Sequence, residues 1–217
     1  MKRTTNKISK LLAIVLICIS TQIVFGQSTI NDLLNENTEI TWLGLDFSQT
    51  KFIGSATQFK DAGEVTNDQF RDKYAIGWNR LFINEQKKYD IAKALSRKGN
   101  VQYAIDVTEK ANNSLKKDFF TNNPGDFKTI DDKKIEGLVK KYDFQGKEGI
   151  GMIVFVEGMS KDQKAAGGWI TFIDMKSKKI LATAYKTAEP GGFGFKNFWA
   201  KAFLGLVKEA DDYKKWK

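Results

Sequence analysis

Residues 149–156 read Gly-Ile-Gly-Met-Ile-Val-Phe-Val, a run of strand length without one polar side chain. A strand that is apolar on both faces must be covered on both faces, so this run points to the central strand of a sheet with helices packed over it. Around it the chain reads as alternating strands and helices. Residues 40–48 form an aromatic and aliphatic strand candidate, and residues 51–54 either extend it or pair beside it.

Phe70, Tyr74, Trp78, Leu81 and Phe82 recur on one helical face between Asn67 and about Lys87, with Thr66 or Asn67 to cap the start. Residues 90–98 fit a short helix stopped by Gly99. Residues 101–107 alternate at first and read as a strand. Asn122-Asn-Pro-Gly125 signals a turn. Residues 131–142 read as an amphipathic helix carrying Ile135, Leu138, Val139 and Tyr142 on one face, with Thr129 and Asp132 at capping-box spacing.

Residues 168–174 and 180–187 are two further strands, joined by the turn Met175-Lys-Ser-Lys-Lys179. A strongly amphipathic helix follows, from Phe195 through Trp199, Phe203 and Leu206 to Ala210. The order is strand, helix, strand, helix, strand, hairpin, helix. It predicts an α/β fold, a single-domain sandwich with a mixed sheet of about five strands, packed helices and a C-terminal amphipathic helix. Trp42, Trp78, Trp169 and Trp199 all fall inside predicted elements and are assigned to the core.

The first 26 residues are a separate matter. Lys2, Arg3, Lys7 and Lys10 precede an apolar stretch from Leu11 to Phe25, and Val24-Phe25-Gly26 fits a cleavage site before Gln27. That is the layout of a secretory signal peptide, too short to serve as a bilayer span. Cys18, preceded by Ile17 and not by a small residue, does not fit a lipidation site. The expected organisation is a signal peptide at 1–26, an arm at 27–39 and one α/β domain at 40–217. The destination is the periplasm or the exterior, with no transmembrane segment after cleavage.

Removing the signal takes away four positive charges and no acid, so the net charge falls from +9 to +5. The mature chain then contains neither Cys nor His. Imidazole-based catalysis, thiol chemistry and soft-metal sites are excluded, and only oxygen-ligated cations stay open. No cofactor is expected. The basic excess is almost all Lys, 31 against 4 Arg, which suits neither phosphate forks nor base recognition, so no nucleic-acid partner is expected.

Two sets of residues could carry chemistry. Glu189-Pro-Gly-Gly-Phe-Gly-Phe-Lys-Asn197 is Gly-rich and opens the last helix, where free N–H groups attract anions; Gly192, Gly194, Lys196 and Asn197 are the anion-binding candidates. The structural alternative is a tight strand-to-helix turn with Phe193 and Phe195 docked in the core. The second set is Asp46, Asp106, Glu157 and Asp174, acids within or at the ends of predicted strands. Gathered at one sheet edge, they could hold Ca²⁺ or Mg²⁺ or act as a glycosidase pair.

The segments Trp42-Leu-Gly-Leu-Asp-Phe-Ser48, 149–157, Trp169-Ile-Thr-Phe-Ile-Asp174, Lys179-Ile-Leu181, Gly191-Gly-Phe-Gly-Phe-Lys-Asn-Phe-Trp199 and the terminal Lys-Lys-Trp resemble a family of uncharacterised secreted proteins of Gram-negative bacteria. The resemblance covers most of the mature chain and implies no known activity. At greater distance, the hairpin followed by a C-terminal helix is similar to small α/β envelope domains, those of the curli-secretion lipoprotein and the N-terminal domain of the Tol–Pal propeller protein. Lys176-Ser177-Lys178 stands where those proteins often have Thr-Gly. A likeness of fold does not fix function.

Together these readings favour an exported, non-enzymatic envelope module that binds a partner protein or an anionic envelope component. The alternatives are a hydrolase or Ca²⁺/Mg²⁺-dependent binder built on the strand-end carboxylates, and anion binding at the Gly-rich helix start.

Overall fold

The computed structural model describes residues 26–115 and 119–216. The signal peptide read at 1–26 therefore lies outside the described residues, apart from Gly26. Seven strand segments form one mixed sheet: β1 (Ile40–Asp46), β2 (Lys51–Ile53), β3 (Val101–Tyr103), β4 (Phe120–Thr121), β5 (Ile150–Ser160), β6 (Ala165–Asp174) and β7 (Lys179–Ala188). β5 is the spine and is buried along its whole length, as its unbroken apolar run requires.

One edge of β5 carries the antiparallel meander β5–β6–β7. Along its other edge β1 and β2 lie end to end, both parallel to β5: Ile40 pairs with Ile150, Asp46 with Phe155 and Lys51 with Gly158. Outside these run β3, parallel to β1, and β4, parallel to β2. The sheet is thus five strands wide while holding seven segments. Residues 51–53 extend the line of the first strand. Between the two segments the Thr50 hydroxyl donates to Val156 O at 2.6 Å and holds the chain against β5.

Helices cover both faces. On one lie α2 (Asn67–Gln69), a π-helical stretch (Phe70–Ala75) and α3 (Ile76–Asn84), which form one helical run. The Thr66 capping box with Gln69 starts it, and Phe70, Tyr74, Trp78 and Phe82 face the sheet. The short α4 (Ile91–Ala94) begins on the Asp90 cap. α7 (Phe195–Lys208) and a 3-10 continuation (Glu209–Lys215) complete this layer, whose core includes Trp42, Phe47, Phe52, Trp199 and Phe203. The other face carries α5 (Asp106–Asn112) and α6 (Asp132–Lys141) over Leu43, Ile153, Phe155 and Ile173. Trp42, Trp78, Trp169 and Trp199 are all buried, as their positions predict.

Two local expectations are corrected, and one strand is added. Residues 101–107 are not one strand: β3 stops at Tyr103 and Asp106 opens α5. Ala104, Val107, Thr108 and Ala111 have helical spacing, and that pattern prevails over the short alternation before it. The cap of α6 is Asp131, which accepts the Lys134 N–H at 2.9 Å, and Thr129 is not part of a capping box there. β4 is a strand of two residues that no periodicity announces.

The early end of β3 leaves the outer edge of β1 beyond Trp42 without a strand partner among the described residues. Side chains take that place. Thr108 Oγ1 donates to Leu43 O at 2.8 Å; Asn79 accepts the Leu45 N–H at 2.7 Å; Asn112 accepts the Phe47 N–H at 2.6 Å. Both amides also donate to Leu45 O at 3.0 Å. The approach requires Gly44, whose φ is +104°; a Cβ there would stand 2.5 Å from both Asn79 Oδ1 and Thr108 Oγ1.

The arm contains α1 (Ile30–Leu34), closed by a capping box between Thr29 and Asp32. It is fixed to the domain by Arg97, which is 7% exposed and donates to the carbonyls of Leu33, Asn35 and Thr38 and to the Tyr213 hydroxyl at 2.8–2.9 Å. No helix among the described residues is long and apolar enough to cross a membrane.

Candidate functional site

The Gly-rich turn between β7 and α7 separates its two phenylalanines. Phe195 is buried against Phe52, Phe59, Tyr74 and Trp78. Phe193 is 91% exposed, so the expectation that both dock in the core is corrected. The backbone decides this. Gly192 and Gly194 have φ of +104° and +81°, a path that carries the chain out and back and leaves the side chain between them in solvent.

The turn is held on both sides of that residue. The Asn197 side chain donates to Phe193 O at 3.2 Å. The Phe195 N–H, the first free donor of α7, donates to both oxygens of Asp61, at 3.2 and 3.1 Å. The anion at this helix start is therefore a side chain of the protein itself. A Cβ on Gly194 would stand 2.5 Å from Asp61 Oδ2, which fixes glycine at that position. Lys196 contributes its carbonyl oxygen, which accepts from Trp78 Nε1 at 2.9 Å. Three lysines lie near the loop: Lys60 lines the hollow beside Phe193 together with Asp61, Lys201 Nζ lies beside Gly191, and Lys161 Nζ donates to Gln58 O and sits 4.3 Å from the Phe59 ring centre.

The four carboxylates are distributed, and no two share a hydrogen-bond partner among the described residues. Asp106 sits in the first turn of α5, half-exposed, 3.9 Å from Lys147. Asp174 is buried at the end of β6 and takes the Ser28 N–H at 3.1 Å, the Ser177 N–H at 3.0 Å and the Ser177 hydroxyl, so it closes the hairpin turn and docks the arm. Glu157 occupies a bulge of β5 that turns it toward the α6 side. It accepts from the N–H groups of Thr129 and Ile130, the latter at 2.6 Å, and from Trp169 Nε1 at 3.1 Å. That anchors the segment leading into α6.

Asp46 lies at the other end of α6, a helix of ten residues and roughly 15 Å. It is 2% exposed and accepts the Ser48 N–H at 2.6 Å and the Tyr142 hydroxyl at 2.9 Å. Burial pushes its carboxyl above the ordinary aspartate range, against the pull of those hydrogen bonds. Burial and the adjoining Asp46 carboxyl hold the Tyr142 phenol well above its own range. Asp46 lines a cleft of about 250 Å³ between α5 and the end of α6. A larger hollow of about 790 Å³ opens at the opposite end of β1 and β5, beneath Gln27 and Ser28. Among the described residues no group of three or more Asp or Glu side chains is placed to hold a metal ion.

Asp61, Lys110, Lys141 and Tyr142 were not assigned to a site by sequence reading, nor were Phe193, Lys60, Lys161 and Lys201. Tyr142 was legible only as part of an apolar helix face, and Asp61 stands 134 positions from its partner. Comparison of the chain with protein-family models, curated proteins and solved structures returned no significant match.

Proposed function

We propose that the protein is an exported, non-enzymatic module of the cell envelope that docks on an anionic envelope component through the Phe193 loop. The observation that carries this reading is the 91% exposure of Phe193 on a turn whose two sides are hydrogen-bonded in place. A phenylalanine left in water forgoes about 2 kcal/mol of burial free energy, which a partner can recover. Because the turn is already ordered, docking costs little additional conformational entropy. Lys60, Lys161 and Lys201 around it favour a negatively charged partner and suit the mature charge of +5.

The secretory layout of residues 1–26 and the resemblance to uncharacterised secreted proteins of Gram-negative bacteria support that location. The experiment is photo-crosslinking from a benzophenone side chain at position 193 of the exported protein. The reading expects adducts from position 193 and none from an identical probe at Lys133, an exposed position on α6, across the sheet. Equal labelling from both positions overturns it.

A further inference from the structure

The cleft above Asp46 is independent of the Phe193 loop: it belongs to the α5–α6 face, and α7 lies on the other. Its floor is the Asp46 carboxyl. The groups that donate to that carboxyl, the Ser48 N–H and hydroxyl and the Tyr142 phenol, are all neutral, and no Lys or Arg pairs with it among the described residues. Of the roughly four acceptor sites of a carboxylate, these three donors leave one for a further donor. A buried carboxyl without a countercharge is costly to ionise, and a cation entering the cleft removes that cost.

Val107, Ala111 and Leu138 form the apolar part of the walls, which suits a short aliphatic group, beside Ser48, Gln49 and Ser114. At the rim Lys110 is engaged by Asp143 at 2.8 Å, while Lys141 is exposed and has no ion-pair partner among the described residues. With a cation in the cleft to offset the cost of ionising Asp46, charge runs from negative at the floor to a net positive rim of Lys110, Asp143 and Lys141. A volume of about 250 Å³ equals about eight waters at 30 Å³ each, room for a molecule of eight to ten non-hydrogen atoms. An amine alone leaves Lys141 unused, and an acid alone meets Asp46 with like charge. We infer that the cleft binds a small zwitterion of α-amino-acid size, its ammonium on Asp46 and its carboxylate at Lys141.

The test is calorimetric titration of the mature protein with each of the twenty L-α-amino acids, with isobutylamine and isobutyrate as single-charge controls. The expected result is that at least one amino acid binds at least about tenfold more tightly than either control. Lys141→Glu, an exposed rim change that leaves the core untouched, and Asp46→Asn each weaken it by about tenfold or more. Should Asp46→Asn fail to fold, Ala111→Met, which fills the cleft, takes its place and is expected to abolish binding. The inference is overturned if no amino acid binds better than both controls. It is equally overturned if binding survives unchanged in Lys141→Glu and in the floor or filling variant.

Discussion

The carboxylate of Asp61 receives the backbone N–H of Phe195 through both oxygens, at 3.2 and 3.1 Å, and so caps α7 from a loop 134 residues earlier in the chain. Losing such a cap costs about 1 kcal/mol. Asp61→Ala is expected to lower unfolding stability by that amount in urea titrations. With the helix start occupied in this way, Lys196→Ala is expected to leave inorganic phosphate binding, followed by calorimetry, unchanged.

Asn79 and Leu45 form a two-bond ring in which a side-chain amide stands in for a neighbouring strand. Asn79→Ala orphans the buried Leu45 N–H, while Leu45 O retains Asn112. One unsatisfied buried donor, with a small cavity added, predicts a loss of about 2–3 kcal/mol. The urea midpoint reports it. Asn79→Asp keeps the acceptor but introduces a buried charge and is expected to cost at least as much.

Asp46 sets a pH dependence. Its folded-state pKa lies above the unfolded value near 3.8, so the folded state binds the extra proton. The stability linked to this group is fully present below the unfolded pKa and is lost as pH rises through the folded one. The neighbouring charges of Lys110, Lys141 and Asp143 lie at the cleft rim. The stability of wild type relative to Asp46→Asn, measured in urea at steps from about pH 4 to pH 7, is expected to fall with rising pH. A flat difference across that window contradicts the assignment.

Tyr185 carries a buried hydroxyl with no hydrogen-bond partner among the described residues, while its ring packs on Trp169 at 5.6 Å and under Lys128 Nζ at 4.2 Å. Tyr185→Phe keeps both ring contacts and removes the unsatisfied group. It is expected to be neutral or to stabilise by about 1 kcal/mol in thermal unfolding.

The elements that could be read in the sequence are those whose burial is written in side chains. The 149–156 run, the aromatic face from Phe70 to Phe82 and the stripe of α7 each bury what their periodicity exposes to view. The rest depends on partners far apart in the chain. Phe193 and Phe195 are the same residue type two positions apart, and only the positive φ of Gly192 and Gly194 sends one outward and the other inward. Asp46 gains its setting from Tyr142, 96 positions away. The bulge at Glu157 and the helical start at Asp106 scatter acids that look equivalent as strand-end residues.

The most direct test of the docking account is quantitative cosedimentation of the mature protein with washed envelope membranes, comparing wild type, Phe193→Ser and the control Ile83→Ser, a second exposed apolar residue at 38% exposure. Saturable binding by wild type and Ile83→Ser, with affinity reduced at least about tenfold in Phe193→Ser, is the predicted result. Equal binding by all three proteins, or no binding by wild type, contradicts the claim that this loop is the docking surface.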